Sequence, residues 1–80
     1  MADEFTPAKE KLMALTREID PDVTVVIPER STLDAFRVSL TRGTSRRFLT
    51  ISEDDLLDLV EDRRAAARMH ATLRQEIGAL

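Results

Sequence analysis

The 80-residue chain contains no cysteine, two glycines and one histidine. Without cysteine it can form no disulfide, no thiolate nucleophile and no zinc–thiolate site. Two isolated glycines, Gly43 and Gly78, cannot build a glycine-rich loop that binds phosphate. The single histidine, His70, lacks the partners of a catalytic triad, and we interpret it as a partly buried or surface residue. These absences argue against an enzyme, a metal site and a bound cofactor.

Long hydrophobic runs are also absent. No segment approaches the roughly 20 apolar residues of a membrane-spanning helix. The N-terminus, Met1-Ala2-Asp3-Glu4, is acidic and lacks the apolar stretch of a signal peptide. We therefore expect a cytoplasmic protein that does not bind a membrane, and ten arginines against two lysines favour a bacterial source. With 42% hydrophobic and 34% charged residues, residues 1–80 are expected to form one small domain in which residues 1–5 are frayed.

The net charge of −3 conceals a separation of the two signs along the chain. Residues 35–51 carry four arginines and no acidic residue, whereas residues 52–64 carry six acidic residues and two arginines. The acidic run lacks the spaced oxygen ligands and the glycine of a calcium-binding loop. Because it follows Ser52, a good N-cap, we interpret it as the capped start of a helix.

Apolar residues recur every three or four positions near the N-terminus, which predicts an amphipathic helix. Thr6-Pro7 is a typical helix start, and the helix is expected to end at Asp20 because a residue before proline avoids the helical region. The apolar stripe of this helix consists of Phe5, Ala8, Leu12, Leu15 and Ile19. The β-branched run at residues 23–27 then predicts a short strand.

A β-hairpin is predicted next. Residues 35–41 alternate between apolar and polar side chains, and Gly43-Thr44 fits a two-residue loop with glycine first. This loop fixes the register, because it places Val38 opposite Leu49 and Phe36 opposite Ile51. The aliphatic side chains of both strands then share one face, and a shift by a single residue would separate them.

The last helix is predicted to start at a capping box formed by Ser52 and Asp55 and to run to Ile77, before Gly78. Its first turns present Leu56, Leu57 and Val60, which we expect to face the sheet. Its later apolar residues form what we call the C-terminal ridge, Met69, Leu73, Ile77 and Leu80. The two sets point more than about 90° apart on a continuous helix, so we expect a bend near Arg63 or two halves that pack on different partners. Residues 64–80 are expected to overhang the sheet.

The element order α-β-β-β-α predicts an α+β fold in which both helices cover one face of a three-stranded antiparallel sheet. This order resembles that of double-stranded-RNA-binding domains, which place a lysine-rich cluster at the start of the last helix. Here the same position reads Ser52-Glu53-Asp54-Asp55, which would repel phosphates. The resemblance therefore extends to the order of the elements alone.

Two surfaces are candidates for binding. The first is the hairpin, with the candidate residues Arg37, Arg42, Arg46, Arg47 and Phe48. An aromatic ring among arginines suits a protein contact and also base stacking with phosphate attraction. A lone exposed phenylalanine without a partner is the third interpretation.

The second candidate surface is the C-terminal ridge. It is expected to pack outside the sheet core, across a two-fold axis against a second copy of the chain. Packing on the first helix of the same chain is the alternative. We therefore hypothesise a non-catalytic interaction module that forms a homodimer or binds another protein. The alternative function is RNA or DNA binding through the basic hairpin face.

Overall fold

A computed structural model describes residues 4–80, in which the elements follow the order α-β-β-β-α-α. Their bounds are Thr6–Ile19 for helix α1, Thr24–Val26, Ala35–Arg42 and Ser45–Ser52 for strands β1, β2 and β3, Glu53–Glu61 for helix α2 and Arg63–Gly78 for helix α3. The strands form one antiparallel sheet in the order β1-β2-β3. The predicted α+β class is confirmed, with three helices where the sequence predicted two.

The N-terminal helix is anchored by an aromatic contact. The ring of Phe5 meets the ring of Phe36 edge-on, with the centroids 5.1 Å apart and the planes at 68°. Phe5 occupies the N-cap of α1, and Pro7 lies in its first turn, where a missing N–H costs nothing. Residues 1–5 were predicted to be frayed, but Phe5 is in contact with Phe36. Residues 1–3 of that segment lie outside the described residues.

The hairpin has the predicted register. Val38 lies opposite Leu49, and Phe36 lies opposite Ile51. Gly43 has a φ of +61°, whereas Thr44 is not among the residues of positive φ. A positive φ at the first loop position alone is typical of a type II′ turn, whose twist matches that of the two strands.

Burial separates the two faces of the sheet. The alternate residues Phe36, Val38, Leu40 and Ile51 are buried, and they share one apolar cluster with side chains from all three helices. We call this side of the sheet the inner face. The helical members of the cluster are Ala8, Leu12 and Leu15 from α1, Leu56 and Leu59 from α2, and Leu73 and Ile77 from α3. The residues that alternate with these along the strands point to the opposite side of the sheet, which we call the outer face.

The predicted long helix is interrupted at Asp62. This residue is extended, with φ −129° and ψ 116°, and it ends α2 and caps α3. Its carboxylate accepts a hydrogen bond from the backbone N–H of Arg64 at 2.8 Å. A continuous 25-residue helix would span about 37 Å, which exceeds the 33 Å length of the folded chain. The single helix is thus a wrong prediction, and the expected change of direction near Arg63 takes the form of a break.

The break also removes the predicted overhang. Helix α3 turns back and packs against both α1 and α2. In α2 the buried residues are Leu56 and Leu59, whereas Val60 is 53% exposed. The prediction that Val60 faces the sheet is therefore wrong. The side chain of Ser52 accepts the backbone N–H of Asp55 at 3.1 Å, so the predicted helix cap is confirmed.

The connection between β1 and β2 contains a strained turn. Leu33 and Asp34 have φ values of 53° and 61°, and Thr32 and Ala35 exchange both backbone hydrogen bonds around them. Two positive φ values define a type I′ turn, which favours Asn-Gly over residues with longer side chains. Leu33 is 95% exposed, so no buried contact of its side chain offsets the strain.

Replacing this pair by the preferred residues, in the double variant L33N/D34G, is expected to stabilise the domain by about 1 kcal/mol. The melting temperature should then rise by roughly 4–8 °C, as expected for a domain of this size. Gly43→Ala is the matched control, because it adds strain to the other turn without a steric clash, and it should lower the melting temperature. An unchanged or lower melting temperature for the double variant would contradict this account of the turn.

Candidate interaction surface

The outer face of the sheet exposes apolar side chains that no helix covers. Val26 in β1 is 57% exposed, and Phe48 in β3 is 51% exposed. Ser39 of β2 pairs with both of them, so the three residues form one row across the sheet. With Arg37 and Arg46, which are also exposed, the two apolar residues form what we call the outer patch: Val26, Arg37, Arg46 and Phe48. The sequence prediction that Arg37, Arg46 and Phe48 share one exposed face agrees with the observed register and exposure.

Arg37 is held over the ring of Phe48. Its guanidinium carbon lies 4.2 Å from the ring centroid, within the range of a cation–π contact worth about 0.5–1 kcal/mol at an exposed site. The two residues are diagonal neighbours, since Arg37 pairs with Thr50, two positions along β3 from Phe48. The contact orders the long arginine side chain and leaves its N–H groups directed at solvent or a ligand.

The outer patch is positively charged and has no internal counterion. The outward positions of β1, β2 and β3 include no aspartate or glutamate. The ion pairs found among residues 4–80 use Arg42 and Arg47, and neither Arg37 nor Arg46 has a carboxylate oxygen within 4.0 Å in that part of the chain. Two cations beside exposed apolar surface are thus available to a partner, and Arg37 is ordered by its contact with Phe48.

Arg42 does not join the outer patch, contrary to the candidate set. It has the same parity as Leu40, so its side chain leaves on the inner side of the sheet. One guanidinium nitrogen lies 2.7 Å from a carboxylate oxygen of Asp20, and another donates to the carbonyl of Leu80 at 3.2 Å. The backbone N–H of Asp22 and the side chain of Arg42 together lower the pKa of the Asp20 carboxyl. Arg42 therefore ties the hairpin to the ends of α1 and of the described chain.

Arg47 is also directed elsewhere. It lies opposite Leu40 on the inner side of the sheet, and its Nε donates to the carboxylate of Glu76 in α3 at 2.7 Å. Of the five candidate hairpin residues, the structure brings together Arg37, Arg46 and Phe48. The strand periodicity alone separates this set from Arg42 and Arg47, whereas nothing in the local sequence indicates the long-range partners Asp20 and Glu76.

The C-terminal ridge is part of the chain's own core. Leu73 has no exposed surface, and Ile77 is also buried in the shared cluster. Met69 and Leu80 are partly buried against it. The expectation that the ridge packs outside the sheet core is therefore wrong, because the break at Asp62 redirects α3 onto α1. The intramolecular alternative describes the observed packing.

Residues 4–80 contain neither a candidate metal site nor a candidate membrane span. This part of the chain places no three histidine, aspartate or glutamate side chains where they could hold a metal ion together. No helix within it has the length and apolar character needed to cross a membrane. Neither a protein-family model, nor a curated protein, nor a solved structure matches the chain. The functional assignment thus depends on the geometry of the outer patch.

Proposed function

We propose that the chain is a non-catalytic interaction module whose outer patch binds an acidic segment of another protein. The observation that supports this function is the stacking of Arg37 on the half-exposed ring of Phe48, on a face without a carboxylate. An aromatic ring and an arginine at one spot are the side chains that most often dominate the energy of a protein contact. They are positioned here before any partner binds, which lowers the entropic cost of association.

Charge complementarity determines the kind of partner. The guanidinium groups of Arg37 and Arg46 can each donate two hydrogen bonds to a carboxylate, in the bidentate geometry that arginine favours. Val26 and Phe48 offer apolar surface between and beside them. A segment that combines aspartate or glutamate with apolar residues fits both features. The acidic residues that give the chain its net charge of −3 all lie outside the three strands.

The same charges oppose a face-to-face contact between two copies of the outer patch. Such a contact would bring four guanidinium groups together around two phenylalanine rings, with no carboxylate from either face to separate them. Like charges brought together at an interface cost several kcal/mol. The partner on this face is therefore a different, acidic surface.

Nucleic-acid binding is the second candidate, because a base can stack on an aromatic ring beside an arginine. The structure weakens this candidate by removing Arg42 and Arg47, which pair with Asp20 and Glu76. Two arginines remain for phosphate contacts. Binding to a single strand would then lose affinity with salt with a logarithmic slope of only about −1.4.

The proposal is tested with a labelled peptide in which glutamate alternates with valine, and with a labelled oligo-dT strand, by fluorescence anisotropy. The peptide is expected to bind, and Phe48→Ala should weaken it at least about tenfold, the loss typical of a central aromatic contact. Val60→Ala is the matched control, since Val60 is 53% exposed but lies on α2, and it should leave the affinity unchanged. Both variants should keep the wild-type melting temperature within a few degrees.

Three results would count against the proposal. Equal peptide affinity for the wild type and Phe48→Ala would exclude the outer patch as the binding surface. Tighter binding of oligo-dT than of the peptide, lost in Phe48→Ala, would instead favour the nucleic-acid function. A large fall in the melting temperature of Phe48→Ala would show that the ring stabilises the fold, in contrast to its observed exposure.

A further inference from the structure

Strand β3 is a long edge strand with one free side. It pairs with β2 over eight residues, and no other strand in residues 4–80 lies on its second side. Five of the six residues from Ser45 to Thr50 are exposed, so neither a helix nor a loop covers this edge. A free edge presents unpaired backbone N–H and C=O groups that favour pairing with another strand.

The hairpin loop determines which residues carry these free groups. Arg42 and Ser45 flank the two-residue turn and exchange hydrogen bonds across it. Because hydrogen-bonded and non-hydrogen-bonded pairs alternate along an antiparallel ladder, Arg46, Phe48 and Thr50 direct their backbone groups away from β2. These three residues also direct their side chains to the outer face. Phe48 is the middle one.

We propose that two copies of the chain pair through their β3 strands, antiparallel and about a two-fold axis that passes beside Phe48. Each Phe48 then lies opposite Phe48 of the second copy, and the two sheets become one sheet of six strands. This inference concerns the edge of the sheet and does not depend on the proposed function of its outer face. The occupant of the edge is a second copy because β3 can pair with itself in a register that keeps its arginines apart and brings two half-exposed Phe48 rings together.

In this register the arginines of the two strands do not lie opposite one another. In the proposed register, Arg46 lies opposite Thr50 of the second copy, and Arg47 lies opposite Leu49 of the second copy. The arginine-bearing half of each strand thus faces the uncharged half of the other. A register centred on Arg46 would place two arginines directly opposite one another, which is destabilising. The register centred on Phe48 avoids this and pairs two half-exposed rings.

The two Arg46 residues stay apart in this arrangement, and Thr50 lies between Arg37 and Arg46 of the second copy. The two Arg46 Cα atoms are separated by four residues along the strands, which is about 14 Å, beyond the screening length of roughly 8 Å at physiological salt. Edge arginines normally prevent pairing with other strands. In an antiparallel pair about Phe48 they do not meet, so they exclude the register centred on Arg46 without blocking this one.

The absence of cysteine from the chain makes a direct test possible. Two variants are prepared separately, Arg46→Cys and Thr50→Cys, and are oxidised mildly either alone or as an equimolar mixture. In the proposed register, position 46 lies about 5.5 Å (Cα to Cα) from position 50 of the second copy, which suits a disulfide. Each position lies about 14 Å from its own equivalent, which does not.

The mixture is therefore expected to give the mixed disulfide in at least tenfold excess over either disulfide formed between identical variants, as measured by mass spectrometry. In urea the preference should disappear. Equal yields of mixed and identical disulfides in the folded state would overturn the proposal, as would a strong product from Thr50→Cys alone or no product at all.

A second measurement changes the charge at Thr50, which lies opposite Arg37 of its own chain and, in the proposed register, opposite Arg46 of the second copy. Thr50→Glu places a carboxylate opposite Arg46 of the second copy, and Thr50→Arg places a like charge there. With two such pairs per dimer, the dimer dissociation constant should fall roughly fivefold for Thr50→Glu and rise by a similar factor for Thr50→Arg. Sedimentation equilibrium measures both against the 9.0 kDa chain mass. Identical constants for the two variants would contradict the register. The disulfide and sedimentation measurements use no peptide, so failure of the dimer and failure of the proposed peptide binding are distinguished from one another.

Discussion

Replacing Val38 by aspartate is expected to unfold the domain. Val38 lies in the central strand, has no exposed surface and belongs to the apolar cluster shared with the helices. A buried carboxylate without a partner costs several kcal/mol, and a small domain has a total stability of only about 5 kcal/mol. Far-UV circular dichroism and urea denaturation should show loss of the cooperative transition.

Val26→Asp is the matched control for this substitution. It makes the same chemical change in the same sheet, at a position on the outer face that is 57% exposed. Its carboxylate stays in water, so the free energy of unfolding should change by less than about 0.5 kcal/mol. A folded Val38→Asp, or equal damage from both substitutions, would show that the faces of the sheet are assigned the wrong way round.

Leu73→Glu is expected to unfold the chain as well, and it distinguishes the two interpretations of the C-terminal ridge. Leu73 has no exposed surface within a single chain, because α3 packs on α1 and α2. The substitution leaves a buried charge and removes a leucine from the core, whose loss alone costs about 2–5 kcal/mol. Thermal denaturation with a dilution series measures the effect, which should not depend on protein concentration.

Thr72→Glu provides the control, since the neighbouring residue is exposed on the same helix. It should remain folded with a melting temperature close to that of the wild type. If Leu73→Glu instead gave a well-folded monomer, the ridge would be a surface between copies, and the packing of α3 on α1 would be wrong.

The hairpin could be predicted from the sequence because two independent patterns agree on one register. The position of Gly43 places Val38 opposite Leu49, the alternation in residues 35–41 requires an apolar residue at that point, and the structure has that pairing. The same periodicity assigns Arg37 and Phe48 to the outer face. Local patterns therefore suffice for the part of the candidate surface that lies within one hairpin.

The break at Asp62 could not be placed in the same way. Neither proline nor glycine occurs near it, and the flanking residues Glu61, Arg63 and Arg64 are all compatible with a helix. The apolar stripe changes direction along the predicted helix, which indicates that one straight helix cannot bury all of it but does not show where the helix breaks. Tertiary packing decides that the helix breaks, because the break returns Leu73 and Ile77 to the core. The one local indication of the break is Asp62 itself, because aspartate is favoured at helix N-caps.

The partners of Arg42 and Arg47 could not be predicted from local sequence patterns either. Arg42 pairs with Asp20, 22 residues away, and Arg47 pairs with Glu76, 29 residues away. Such pairs follow from how α1 and α3 dock on the sheet, which a local pattern does not contain. For this reason the sequence analysis placed five candidate residues on one hairpin surface, whereas the structure brings three of them together.

The most direct test of the outer patch as a binding surface is photo-crosslinking in the cells that naturally produce the protein. A benzophenone-bearing amino acid replaces Phe48 in one variant and Val60, on α2, in the other. The account predicts a covalent adduct between the chain and an acidic protein from position 48, and none from position 60. Adducts of equal yield from both positions, or no adduct from position 48 to any protein but a second copy of the chain, would contradict it.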